Sequence, residues 1–259
     1  MSDERKAFLL LTGMCVCAAL VMGGLLWMEI MPCNDAMARY APMARAFAEG
    51  DFLYAFHPHT GVLFSTLSGV IAFCTGLEGF RACQYAALVL WVLSAFPLYA
   101  VAVRIWKDRA VALTTVFLYF LCSHMQRFVY LGVRDNGRSL GFFLLVLGLL
   151  TFYEDRKSWR SVFAVAGGGA ILTMLRADGF FFAVAGLAVL LVLDVTANGM
   201  KWVRSALCGV LFLLLLLPQL YLNVRWNGYM VPSSRHALLL EKMGVPPIGS
   251  PYGSDGRGK

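Results

Sequence analysis

The sequence predicts an all-α, polytopic transmembrane helical bundle of about seven spans, with an amphipathic juxtamembrane helix in its first outer loop. Three observations predict it. Of 259 residues, 59% are apolar and only 14% charged, against ~25% charged in a soluble domain. Apolar runs at 8–28, 60–76, 83–103, 110–130, 139–153, 161–176, 179–195 and 205–222 approach the ~20 residues a helix needs to cross ~30 Å of hydrocarbon. The basic residues gather in short loops between these runs. The net charge of +7 therefore reads as membrane topology, not nucleic-acid affinity.

The first run follows Met1 to Lys6. It is too long for a signal-peptide core and no Ala-x-Ala site follows, so it is expected to be an uncleaved span. In the loop 29–59, Asn34 and Asp35 are expected to cap a helix starting near Ala36. Met37, Tyr40, Met43 with Ala44, and Phe47 recur at helical spacing, while Arg39, Arg45 and Glu49 lie off that stripe. Gly50 suits a C′ stop and Pro42 a kink. This is expected to be an amphipathic helix on the membrane surface. Run 60–76 is short and carries Ser65, Thr66, Ser68 and Thr75. If it crossed, Arg104, Lys107, Arg109, Arg156, Lys157, Arg160, Lys201 and Arg204 would lie outside. As an interfacial or re-entrant helix it leaves all of them inside with Arg5 and Lys6, as the positive-inside rule requires. The expected arrangement has seven spans, a cytoplasmic N-terminus and an outer C-terminus. Gly167-Gly168-Gly169 lies inside an apolar run and reads as helix packing. Phe180, Phe181 and Phe182 read as lipid- or core-facing, and His124 as packed in or at the end of its span. Residues 233–259 are expected to be a flexible polar outer tail.

Seven cysteines with no Cys-x-x-Cys pair exclude zinc ribbons and thioredoxin-like chemistry. With the expected topology, the loop 29–59, the loop 131–138 and the turn Arg176 to Gly179 share one outer face, each pairing acids with bases. The inner loops are plain basic turns. Asp35 reads both as a helix cap and as a carboxylate at the bilayer boundary. His57-Pro58-His59 is extended by its proline; hydrogen bonding to a substrate suits it better than metal ligation. Asp178, two residues from Arg176, reads as part of a self-satisfied turn.

This pattern resembles the GT-C glycosyltransferases, polytopic enzymes that include the protein mannosyltransferase and lipid A aminoarabinose transferase types. The resemblance rests on Asp35 beyond the first span followed by Tyr40, Ala44, Arg45, Glu49, Gly50 and Asp51. It continues in His57-Pro58-His59 with Gly61 to Phe64, where His59 stands in place of a usual second proline, and in Leu77 to Arg81. Arg134-Asp135, Gly167 to Gly179, and Asn223 to Pro232 complete it, so it covers most of residues 1–232. It implies a transmembrane module over 1–232 that transfers a sugar from a polyprenyl phosphate to a glycan, lipid or protein acceptor on the outer face, with inversion. Asp35 is the implied base and Asp135 a second functional acid. Arg134, Arg138 or Arg176 would hold the leaving phosphate; Tyr40, Arg45, His57 and His59 complete the implied substrate contacts. The resemblance leaves the metal requirement open; a divalent cation, Mg or Mn, on Asp35 and Asp135 is compatible. The expected setting is a bacterial inner or plasma membrane, with no nucleic-acid partner. Full enzymes of this type carry further spans and an outer domain, so a minimal module, a truncated product or half of a split enzyme is expected. The alternative is a non-catalytic membrane protein for transport or envelope assembly, or an inactive transferase.

Overall fold

A computed structural model of the chain describes residues 3–28, 33–56, 61–198, 202–232 and 234–248. Among them every regular element is helical: α1 (Asp3–Met28), a π-helical turn (Ala36–Tyr40) leading into α2 (Ala41–Ala48), α3 (Phe52–Ala55), α4 (Val62–Thr75), α5 (Gly79–Trp106), α6 (Arg109–Leu121), α7 (Ser123–Tyr130), α8 (Asp135–Glu154), α9 (Trp159–Leu175), α10 (Gly179–Asn198), α11 (Val203–Asn227) and α12 (Ser234–Lys242). The all-helical bundle is as expected. Five helices, α1, α5, α8, α10 and α11, are long and apolar enough to cross a membrane, so the chain has the character of an integral membrane protein. The expected count of about seven is not reached. Of the two remaining expected crossings, α9 has 17 residues and α6 only 13.

The shortfall in α6 has a local cause. The run 110–130 breaks at Cys122, whose ψ of 105° is extended. The Gln126 side-chain amide donates to the Phe120 carbonyl at 2.8 Å, satisfying an end-of-helix acceptor. The polar sequence Ser123-His124-Met125-Gln126-Arg127 then starts a separate helix. In α4 the 14 residues span about 21 Å. Its polar side chains are satisfied internally: Ser65, Thr66, Ser68 and Thr75 donate to the carbonyls of Gly61, Val62, Phe64 and Ile71. Its first N–H, from Val62, reaches the buried Gln219 Oε1 of α11 at 2.9 Å. Gly61, at φ +77°, touches α9 so closely that a Cβ would stand 1.8 Å from the Met174 carbonyl oxygen.

The juxtamembrane helix departs from expectation at its start and agrees at its end. Asp35 does not cap it; its backbone is already helical and its side chain makes no cap bond. Helix geometry begins a turn earlier, where the Met37 N–H bonds the Cys33 carbonyl at 2.8 Å. Pro42 lacks an N–H and would crowd the carbonyl four residues back. The chain answers with a π turn, in which the Ala41 N–H reaches the Ala36 carbonyl. One extra residue in the turn rotates the stripe, so Ala36, Tyr40, Met43 and Ala44 are buried and Met37 is exposed. Gly50 (φ +85°) ends the helix. Its N–H bonds the Phe47 carbonyl and that of Asp51 bonds the Ala46 carbonyl, the Schellman pattern. The apolar face covers α4 and α5 rather than being left for lipid: Phe47 fills the space over Gly69, and the Ala41 carbonyl lies against Gly79.

Among the described residues the most extensively packed helix pair is α8 with α9. A Cβ on Gly168 would stand 2.5 Å from the Leu145 backbone nitrogen, one on Gly141 2.9 Å from the Gly168 carbonyl oxygen, and one on Gly148 2.7 Å from Val165 N. Small residues let the two backbones touch, as read for the glycine triplet, although Gly167 itself faces open space. Of the segment 233–259, expected to be a flexible polar outer tail, residues 234–248 are described and begin with α12, while 233 and 249–259 lie outside the described residues. In α12, His236 packs on Phe180 and Phe181 with ring centroids at 5.9 and 6.0 Å, and Ala237 is buried. The following segment is pinned by Tyr229 Oη donating to the Val245 carbonyl and Ile248 N–H to the Gly228 carbonyl. Apolar burial at these contacts favours a docked helix over an irregular chain.

Candidate functional site

The α8–α9 seam sets the register of the site. Asp135 opens α8, where the helix dipole favours an acid. Arg176 follows the last residue of α9 in extended conformation. Because the two helices run antiparallel in close contact, these ends meet. Gly137 helps, since a Cβ there would stand 2.3 Å from Leu175 Cδ1. The Arg176 guanidinium donates to Asp135 Oδ1 and, at 3.0 Å, to Asp178 Oδ1. The other Asp178 oxygen faces Arg138 Nη1 at 3.4 Å. The result is an alternating chain, Asp135–Arg176–Asp178–Arg138, with side chains 21–41% exposed. Burial pushes the Asp178 carboxyl up, but the hydrogen bond and charge of Arg176, with the charge of Arg138, outweigh it and hold the group below its ordinary range. Burial likewise opposes the Arg176 charge, and Asp135 and Asp178 overcome it.

Tyr40 adjoins this chain. Arg134 lies over its ring at 5.7 Å and Phe64 packs edge-on at 5.3 Å. Burial raises the Tyr40 hydroxyl above its ordinary value. Arg134 and Arg39 work against that rise, and the charges of Asp35 and Asp135 add to it. Tyr40 thus senses both acids that the sequence singled out. Asp35 faces Arg39 at 3.6 Å, and both side chains are well exposed. Arg45 is not drawn into this group; it pairs one helical turn away with Glu49 at 2.7 Å on an exposed face. His57 and His59 lie outside the described residues.

A cavity of about 430 Å³ opens beside the ion-pair chain between α7, α8 and α10. Asp135, Arg138 and Ser139 stand at its polar side, and Met125, Phe128, Phe142, Phe143 and Phe182 make most of the wall, with His124. Arg138 lies over the Phe182 ring at 5.2 Å. Asp178, His124 and the phenyl wall fall outside the residues picked from sequence. A signal was present: 135, 138, 139, 142 and 143 follow the i, i+3, i+4, i+7, i+8 spacing of one helix face. His124 and Phe128 repeat that logic one turn apart. Phe182 faces the cavity and not lipid alone.

Among the described residues no group of three or more His, Cys, Asp or Glu could hold a metal ion. A cation on Asp135 would also have to displace Arg176. Among the described residues, which do not include His57 and His59, none besides Asp35 and Asp135 joins a set that would hold the divalent ion the resemblance allowed.

The other end of α8 carries a second charged cluster. Glu154 meets Arg104 at 3.3 Å and Lys107 at 3.2 Å, and Arg109 meets Glu4 at 3.3 Å. It borders an open depression of about 660 Å³. Fold and site together define a helical membrane bundle with a half-buried ion-pair chain at one end and a cavity beside it. A scan against protein-family models finds no match for the chain, and neither curated proteins nor solved structures provide one.

Proposed function

We propose that this chain is a membrane glycosyltransferase of the GT-C type, using a polyprenyl-phosphate-linked sugar. What supports the reading above all is that Asp135, Arg176, Asp178 and Arg138 form one ion-pair chain at one end of the bundle, beside an apolar cavity. An amphiphilic donor needs that combination: charge for its phosphate and apolar surface for its chain. In this reading α6 with α7, and α9, complete seven crossings. The N-terminus is cytoplasmic in a bacterial inner or plasma membrane, and the Asp135 end faces outward.

Asp35 takes the proton of an acceptor hydroxyl while that oxygen attacks the anomeric carbon. The bond from the anomeric carbon to the phosphate oxygen breaks, the configuration inverts, and the polyprenyl phosphate leaves as an anion. Base catalysis of this kind is worth ~10²–10⁴-fold. The exposed Asp35, loosely held by Arg39 at 3.6 Å, suits a base. Asp135, bound to Arg176, suits an orienting role. Arg134 and Arg138 are the candidates for the phosphate, with Tyr40 against the substrate.

A second reading, a non-catalytic bundle for transport or envelope assembly, draws on the same ion pairing, because a locked Asp135 also serves a purely structural end. Purified protein with a panel of polyprenyl-phosphate sugars separates the two. The transferase reading expects donor consumption that Asp35→Asn lowers by ~10²-fold or more. No consumption of any donor by folded protein would refute it.

A further inference from the structure

We propose that Asp178 is a positioning residue for anion recognition by Arg138 at the cavity between α7, α8 and α10. The inference rests on the reading above for the chemistry of the ligand, a phosphate-headed isoprenoid, and gives Asp178 a role that reading does not assign.

The geometry singles out Arg138. Arg176 spends its guanidinium on Asp135 and Asp178. Arg134 lies over the Tyr40 ring and does not border the cavity. Arg138 does border it, and among the described residues its contacts are the Phe182 ring at 5.2 Å and one Asp178 oxygen at 3.4 Å. A guanidinium has five N–H donors, so this single long contact leaves most of its donor capacity for a ligand. Its side chain is 40% exposed, which lets an anion reach it.

Two effects of Asp178 compete. Its charge repels an incoming phosphate, but at 41% exposure the surrounding water weakens that repulsion. Its bond to Arg176 and its contact with Arg138 also fix where the Arg138 head stands. A free arginine side chain loses much rotamer freedom on binding; one held between Asp178 and the Phe182 face has lost it already. Asp178 is itself anchored, because Arg176 joins it to Asp135 at the rigid α8–α9 seam. On this proposal prior ordering outweighs the weakened repulsion, and Asp178 assists binding.

The test compares farnesyl phosphate and farnesol as probes, with the full chain purified in detergent. Wild type binds farnesyl phosphate more tightly. Arg138→Gln weakens that probe ~10-fold or more, the scale of a charge-assisted hydrogen bond. Asp178→Asn weakens it by about 3–10-fold, and Asp178→Glu recovers part of the loss. In the Arg138→Gln background, Asp178→Asn adds less than about 2-fold, because the two residues act as one unit. Farnesol binding stays unchanged in all variants, which reports an intact cavity. Tighter or unchanged binding of farnesyl phosphate by Asp178→Asn, or additive losses in the double variant, overturns the inference while leaving the transferase reading standing. A change in farnesol affinity equal to the change for the phosphate overturns it too, since Asp178 would then act only on the fold. Wild type that does not discriminate between the probes overturns both.

Discussion

The two ends of α8 are built from the same residue types and do different things. At one end Glu154 takes Arg104 and Lys107, and Arg109 reaches Glu4, with side chains 32–82% exposed. At the other, Asp135, Arg176, Asp178 and Arg138 alternate in a chain 21–41% exposed, next to a cavity walled by phenyl rings. Exposed pairs are worth ~0–1 kcal/mol, so the Glu154 cluster is a solvated rim that tethers α1, α5, α6 and α8. The Asp135 chain is partly desolvated and held in register by helix backbones in contact. An ion-pair motif becomes a candidate site through its packing and the apolar wall of the cavity beside it, not through its own composition.

The sharpest way to break the contrast is to spoil the seam. Gly168→Ala places a Cβ 2.5 Å from the Leu145 backbone and should destabilise the protein by ~1–3 kcal/mol or more. Gly167→Ala, which meets nothing within 4 Å, should be neutral or stabilising by up to ~1 kcal/mol. Equilibrium unfolding in detergent reads both, and equal effects would mean that α8 and α9 are not in contact at this register.

Next in size is Arg176→Met, which leaves two half-buried carboxylates without their shared partner. A loss of ~1–3 kcal/mol is expected, against at most ~1 kcal/mol for Glu154→Gln. High salt should erase the Glu154→Gln effect and leave most of the Arg176→Met effect. The reverse order would place the structural weight at the other end of the helix.

The smallest expected effect is in pH. Asp178 is held below the ordinary carboxyl range, so its folded form favours ionisation more than the unfolded chain does. Its stabilising contribution is present at neutral pH and is lost as pH falls below ~4. The acid limb of a stability–pH curve should therefore be shallower in Asp178→Asn than in wild type. Identical acid limbs would deny Asp178 its pairing with Arg176 and Arg138.

Much of this was legible in the sequence. The apolar runs marked the helices, the hydroxyl-rich 60–76 marked one of the shorter ones, and Gly50 marked a stop that the Schellman bonds reproduce. Asp135, Arg134, Arg138, Arg176 and Tyr40 were picked and do gather. Other points were readable but misjudged. Pro42 predicts a disturbed turn, yet whether a chain kinks or widens into a π turn depends on what α4 and α5 offer its apolar face. The break at Cys122 rests on the Gln126 side chain finding a carbonyl, which apolar periodicity does not report.

By itself the sequence determined an all-helical, lipid-compatible chain, because apolar runs of that length must satisfy their backbone internally. It also determined which charged residues were available. Only the tertiary structure decided their pairing: that Arg176 holds Asp135 and Asp178, that Arg45 stays apart with Glu49, and that a phenyl-walled cavity opens beside Arg138. The physical reason is that side chains 41 positions apart, as Asp135 and Arg176 are, meet through the register of two packed helices. That register is set by backbone contact at Gly141, Gly148 and Gly168, which no local pattern encodes.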